Sequence, residues 1–160
     1  MNSLKIAIIL IAAGVVGLLA VNFYLPPPYP AYTPSYTASD FKSNGERIYF
    51  TATSNSGEPI IASIGTMRMY GMLSCATCHG ADGKGGRGAM MMWTFDAPDI
   101  RYSTLTTASG NETPYNDELI KRAITQGIDA DGNRLEPPMP VWQMSDSDLN
   151  DLLDYLKTLK

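Results

Sequence analysis

Hydrophobic and polar positions divide this chain into three stretches of different character. Residues 6–25, IAIILIAAGVVGLLAVNFYL, carry no charge, and Asn22 is their only strongly polar member. Twenty residues at about 1.5 Å each reach roughly 30 Å, one hydrocarbon core, so the run predicts a transmembrane helix. A cleaved signal peptide is the alternative reading. Its apolar core would be about 7–15 residues ending at a small-x-small site, and Leu18-Leu19-Ala20 is a poor one. Lys5 precedes the run, which predicts a cytoplasmic N-terminus and a chain that continues outside. Residues 26–39, PPPYPAYTPSYTAS, have five prolines and no charge. Proline fixes φ and removes backbone donors, so this segment reads as an extended polyproline spacer. The expected organisation is an anchor over 1–25, a linker over 26–39 and a folded domain over 40–160.

Within that domain the pattern is mainly helical. Asn44-Gly45 is a turn signal, and the β-prone residues Ile48, Tyr49, Phe50 and Thr51 leave a short helix or a hairpin open before the turn at 54–59. Ile64, Met67, Tyr70 or Gly71, and Met72 fall at near-helical spacing, which predicts a helix running into Cys75. Asn116 caps a predicted helix with Leu119, Ile120, Ala123 and Ile124 on its apolar face and Gly127 as its stop. Ser145, with Asp148 three positions on, opens the last helix; Leu149, Leu152, Leu153, Leu156 and Leu159 form its buried stripe. Asp146, Asp148, Asp151 and Asp154 read as a solvated face.

Charge narrows the function classes. The 160 residues carry a formal net charge of −4 and a sequence pI of about 4.8. A nucleic-acid binder needs a basic face, so no nucleic-acid partner is expected. The nine methionines suit a pocket in which soft thioether sulfur packs or ligates.

The chemistry sits in one short stretch. The chain's two cysteines and its one histidine all fall within Cys75-Ala76-Thr77-Cys78-His79. C-x-x-C-H is the attachment signature of c-type haem: two thiols each take a vinyl group of one porphyrin, and the imidazole becomes the proximal ligand. A structural zinc site needs a second ligand pair, which the chain lacks. A redox CxxC belongs in a βαβ pattern, whereas a glycine-rich run follows here. Gly83, Gly85 and Gly88 match G-x-G-x-x-G in letters only, without the strand and helix that a dinucleotide site requires. That run reads instead as a flexible turn with Lys84 and Arg87 exposed, and Met90–Met92 and Trp93 as pocket lining. Asp129–Asn133 places its glycine too early for a calcium loop, so it reads as a polar turn. With one histidine available, methionine is the expected second axial ligand. Met139, in Pro137-Pro138-Met139-Pro140, is the first choice, and Met144 and Met90–Met92 are the alternatives.

From Asp40 to Lys160 the chain resembles the class I c-type cytochromes, through CATCHG with its glycine-rich sequel, PPMP, and the terminal helix. The resemblance implies a helical domain around one covalently bound haem c. Cys75 and Cys78 would be the thioether cysteines, and His79 and Met139 the axial iron ligands. Tyr155 would be the last-helix aromatic that packs on the first helix. It also implies one-electron transfer rather than catalysis. A haem-based enzyme, or a sensor with a displaceable distal methionine, is the alternative. With the anchor, the expectation is a bacterial-type carrier held on the outer face of the cytoplasmic membrane. It would be a tethered shuttle or a fixed subunit of a respiratory or photosynthetic complex, with membrane redox subunits or another carrier as partners and residues 6–25 in the bilayer.

Overall fold

The computed structural model describes residues 40–71, 73–90, 93–107 and 113–160, together with Ile11. The transmembrane helix expected over 6–25, apart from Ile11, and the linker expected over 26–39 lie outside the described residues. Among the described residues no helix is long and apolar enough to cross a membrane.

Among the described residues of 40–160 there are five helices and five short strands. In chain order these are α1 (Asn44–Thr51), β1 (Ile61–Ile64), β2 (Met67–Tyr70), α2 (Cys75–His79), β3 (Gly86–Met90), β4 (Trp93–Ala97), α3 (Tyr102–Leu105), α4 (Asp117–Gln126), β5 (Val141–Gln143) and α5 (Asp146–Leu156).

The first and last helices cross. Ser43 opens α1 by accepting a 3.1 Å hydrogen bond from the Glu46 N–H, so this stretch resolves as helix and not as hairpin. Gly45, read from sequence as a turn residue, lies inside α1 for a different reason. A Cβ there would fall 1.9 Å from the Asp151 carbonyl oxygen and 2.9 Å from the Tyr155 Cβ. The missing side chain is what lets α1 and α5 approach. Tyr49 and Tyr155 pack beside the crossing with ring centroids 5.2 Å apart. On α5, Leu149, Leu152, Leu153 and Leu156 are buried, and Ser145 caps it through the Asp148 N–H.

The helix expected from Ile64 into Cys75 is instead a β-hairpin. Gly65, at φ +57°, supplies the left-handed residue of the tight turn, and β1 and β2 then pair antiparallel, Ile64 opposite Met67 and Ile61 opposite Tyr70. Burial follows a period of two along β2, with Met69 buried and Arg68 and Tyr70 exposed. β5 pairs with the other edge of β1, giving a three-stranded sheet in the order β2-β1-β5. Ala62 sits between Met69 and Trp142 in this register, and all three are buried. The glycine-rich run also holds regular structure, since β3 begins at Gly86 and pairs antiparallel with β4.

The aspartates of α5 are not all solvated. Asp148 accepts hydrogen bonds from Asn44 Nδ2 at 2.9 Å, Ser54 Oγ at 2.8 Å and Ser145 Oγ at 2.7 Å. Asn44 also donates to Asp151 at 2.7 Å. These bonds tie the start of α1 and the following turn to the start of α5.

Candidate functional site

α2 is barely more than one turn, and its ends are pinned from several sides. Thr77 Oγ1 accepts from the Ser74 N–H at 3.2 Å and pairs with the Ser74 hydroxyl at 2.9 Å, closing the N-terminal end. After His79 the chain turns at Gly80, φ +75°. The Gly80 carbonyl accepts a 2.7 Å hydrogen bond from the Tyr49 hydroxyl, and the His79 carbonyl accepts from the Gly85 N–H at 2.9 Å. Gly83 then fits beneath the last turn of the chain, where a Cβ would meet Leu159 at 2.8 Å.

The His79 imidazole is buried, and its Nδ1 lies 2.9 Å from the Pro98 carbonyl oxygen. A carbonyl only accepts, so Nδ1 carries the proton and Nε2 is left with a free lone pair. Burial lowers the imidazole pKa, with the Pro98 bond opposing in part, which keeps the ring neutral and able to ligate. Burial among apolar neighbours pushes the Cys75 thiol up to about 12 and the Cys78 thiol up as well.

Both thiols and His79 face a cavity of about 560 Å³, and Met139 lines the same cavity. Its walls are largely apolar: Ile100 and Leu105 near α3, Ile120 and Ile124 from α4, and Trp142 and Leu156 beyond. That volume lies within the roughly 300–1,000 Å³ typical of cofactor sites. The structure therefore brings together all four residues singled out in the sequence: Cys75, Cys78, His79 and Met139. It does not bring in the alternatives. Met144 packs against the core without lining the cavity, and Met90 on β3 is likewise absent from the wall. Met91 and Met92 fall outside the described residues. The wall near His79 is built by Thr94–Pro98 of β4 and its exit, rather than by the methionines before it. Pro98 and Trp142 gave no sequence signal, because each acts through a backbone carbonyl or a strand register.

The donor set is one imidazole nitrogen, one thioether sulfur and two thiols around an apolar, macrocycle-sized space. These donors suit iron in a covalently attached porphyrin. The family model for cytochrome c matches residues 67–160. This chain belongs to the cytochrome c family. Searches of curated proteins and of solved structures each gave no match. Membership brings covalently bound haem c, and the cavity fits that group in volume, polarity and donors. It also supports haem-based electron transfer as the general activity of this cytochrome. The asp-rich turn at 129–133 is closed by its own hydrogen bonds, Asp129 N–H to the Asn133 carbonyl and Asn133 N–H to Asp129 Oδ1. Among the described residues no cluster of His, Cys, Asp and Glu is arranged to hold a separate metal ion.

Proposed function

We propose that this cytochrome is a one-electron carrier in which Cys75 and Cys78 form the thioethers, His79 is the proximal ligand and Met139 the distal ligand. The observation that carries the reading is the shared cavity: Met139 lines it together with Cys75, Cys78 and His79, and among the described methionines no other does so. When bound, haem c supplies the Fe(III)/Fe(II) couple. The chain's part is to hold that couple in one coordination geometry. Pro98 orients His79 from behind, and the carbonyl-to-imidazole bond raises the basicity of Nε2. Met139 is held in its loop by a hydrogen bond from its N–H to the Glu136 carbonyl at 3.1 Å, with prolines on both sides. The apolar walls exclude water, which favours the less charged iron state and limits reorganisation between the two. A carrier needs no open iron position and no distal acid–base group, and the chain has no second histidine to supply one.

The anchor is part of the same reading. The uncharged run at 6–25, with Lys5 ahead of it, supports a single span with a cytoplasmic N-terminus and the haem domain outside. That arrangement suits a tethered shuttle or a fixed subunit of a redox complex. Two measurements test the proposal. In Met139→Ala the iron should bind carbon monoxide and cyanide readily and the midpoint potential should fall; an unchanged spectrum and potential would refute the distal assignment. Native gels of gently solubilised membranes, stained for haem, should show the full-length chain in the membrane fraction. A haem-stained protein that begins beyond residue 25 and remains soluble would refute the anchor.

A further inference from the structure

The three-stranded sheet differs at its two sides. On one side β5 packs against the end of α4, where a Cβ on Gly127 would meet Val141 at 3.0 Å. On the other, β2 pairs only with β1 among the described residues. An open edge is a template for further strand pairing, and proteins usually blunt it with proline, lysine, a bulge or a cover. β2 reads Met67-Arg68-Met69-Tyr70, has neither proline nor lysine, and pairs with β1 without a bulge. Met67 is 45% exposed and Tyr70 55%, and among the described residues of 40–160 they are the exposed large hydrophobic side chains. Arg68 between them is exposed too, and among the described residues it makes no ion pair and no side-chain hydrogen bond.

The hairpin also fixes which backbone groups face outward. Only Gly65 and Thr66 join β1 to β2, so Ile64 and Met67 form a hydrogen-bonded pair and the pairs alternate from there. Met67 and Met69 direct their N–H and C=O groups to β1. Arg68 and Tyr70 turn theirs to the open edge, and their side chains share the face of the sheet opposite to buried Met69.

We propose that β2 pairs antiparallel with β2 of a second copy of this chain, about a two-fold axis at Met69. An axis normal to the sheet keeps every side chain on its own face, so it passes through a residue position and not between two. With the axis at Met69, Arg68 lies opposite Tyr70 of the second copy. Residues paired in this way exchange both backbone hydrogen bonds, using the groups already turned outward. They also set a guanidinium beside a phenol ring on one face, a cation–π pair at cross-strand distance. With the axis at Arg68 instead, two guanidinium groups would face each other, which is destabilising. Arg68 thus rejects one register and favours the other, and that charge complementarity names a second copy as the occupant. The paired stretch, Met67 to Gly71, spans roughly 17 Å. So short an edge buries less than a standard interface and gives a weak, reversible dimer, with one continuous sheet in the order β5-β1-β2-β2-β1-β5.

Sedimentation equilibrium of the full-length holoprotein in density-matched detergent measures the dimer constant. Comparing variants cancels any contribution from residues 6–25, which none of them alters. Arg68→Gln should weaken dimerisation about tenfold, the loss of the exposed cation–π pairs. Tyr70→Arg should weaken it further, because like charges then face each other. Arg68→Glu combined with Tyr70→Arg sets opposite charges across the axis and should recover dimerisation towards wild type. The haem absorption spectrum should be unchanged in all three, since each substitution lies on an exposed edge. A wild-type protein that stays monomeric at the highest concentration reached would overturn the proposal. A dimer indifferent to Tyr70→Arg would sink it as well, by placing the contact elsewhere in the chain. Loss in Tyr70→Arg without recovery in the double variant would refute the axis at Met69.

Discussion

The Tyr49 hydroxyl donates a 2.7 Å hydrogen bond to the carbonyl of Gly80, the residue that follows His79. Helix α1 is thereby joined to the exit of the haem-attachment turn. Tyr49 is fully buried, and burial, reinforced by nearby acidic groups, pushes its phenol far above its ordinary value, so it stays a donor at any pH the protein survives. Tyr49→Phe keeps the ring between α1 and α5 and removes only this donor. The expected cost is about 1 kcal/mol, the loss of one part-buried hydrogen bond. A lower urea midpoint with an unchanged slope would show it; no change in midpoint would mean that water replaces the hydroxyl.

Gly45→Ala sets two effects against each other. Alanine in a helix is favoured over glycine by about 1 kcal/mol. The new methyl would meet the Asp151 carbonyl at 1.9 Å, and backbone on a crossing helix has little room to yield. Overpacking of this kind costs about 1–3 kcal/mol or more, so the clash wins. A depressed melting temperature is expected, and a raised one would show that the helices can separate cheaply.

Asp148 gives the domain a pH-dependent fastening. Burial pushes its carboxyl up, but hydrogen bonds from Asn44, Ser145 and Ser54 outweigh that and hold it below the usual carboxylate range. A depressed folded-state pKa contributes stability above the unfolded value and loses it as pH falls through the folded one. Asp148→Ala should therefore cost about 1–3 kcal/mol near neutrality, and the gap to wild type should close in strong acid. Denaturation midpoints of both proteins across that range would show whether the gap narrows.

Trp142 joins the sheet to the cavity, being buried on β5 opposite Ala62 and part of the cavity wall. Trp142→Ala should cost about 3–5 kcal/mol in stability and shift the haem absorption bands as water enters. Stability loss with an unaltered haem spectrum would separate the two roles.

The elements read correctly from sequence were those whose signals are local. Asn116 and Ser145 cap their helices, Gly127 ends α4 in the left-handed region, and Leu149, Leu152, Leu153 and Leu156 of the leucine stripe are buried, while Leu159 lies beyond the end of α5 and is half-buried. The cavity residues were legible because Cys75, Cys78 and His79 are adjacent and Met139 is bracketed by prolines. What failed was set by distant partners. Ile64–Tyr70 fits a helical stripe as well as a hairpin, and only pairing with β5, far along the chain, decides between them. The Asn44-Gly45 pair looks like a turn until α5 crosses it. Asp148 looks like one of four solvated acids until Asn44 and Ser54 reach it. Pro98 supports His79 through its carbonyl, which no side-chain pattern reports.

The crossing of α1 with α5 also sets an order of events during biogenesis. These helices come from opposite ends of the domain, so their contact is among the last that a growing or emerging chain can make. Until then Tyr49 has no α5 to pack against, and the attachment turn lacks its support. In the closed domain burial also raises the Cys75 thiol above its ordinary value. Closure of the two ends and enclosure of the attachment turn are therefore one event.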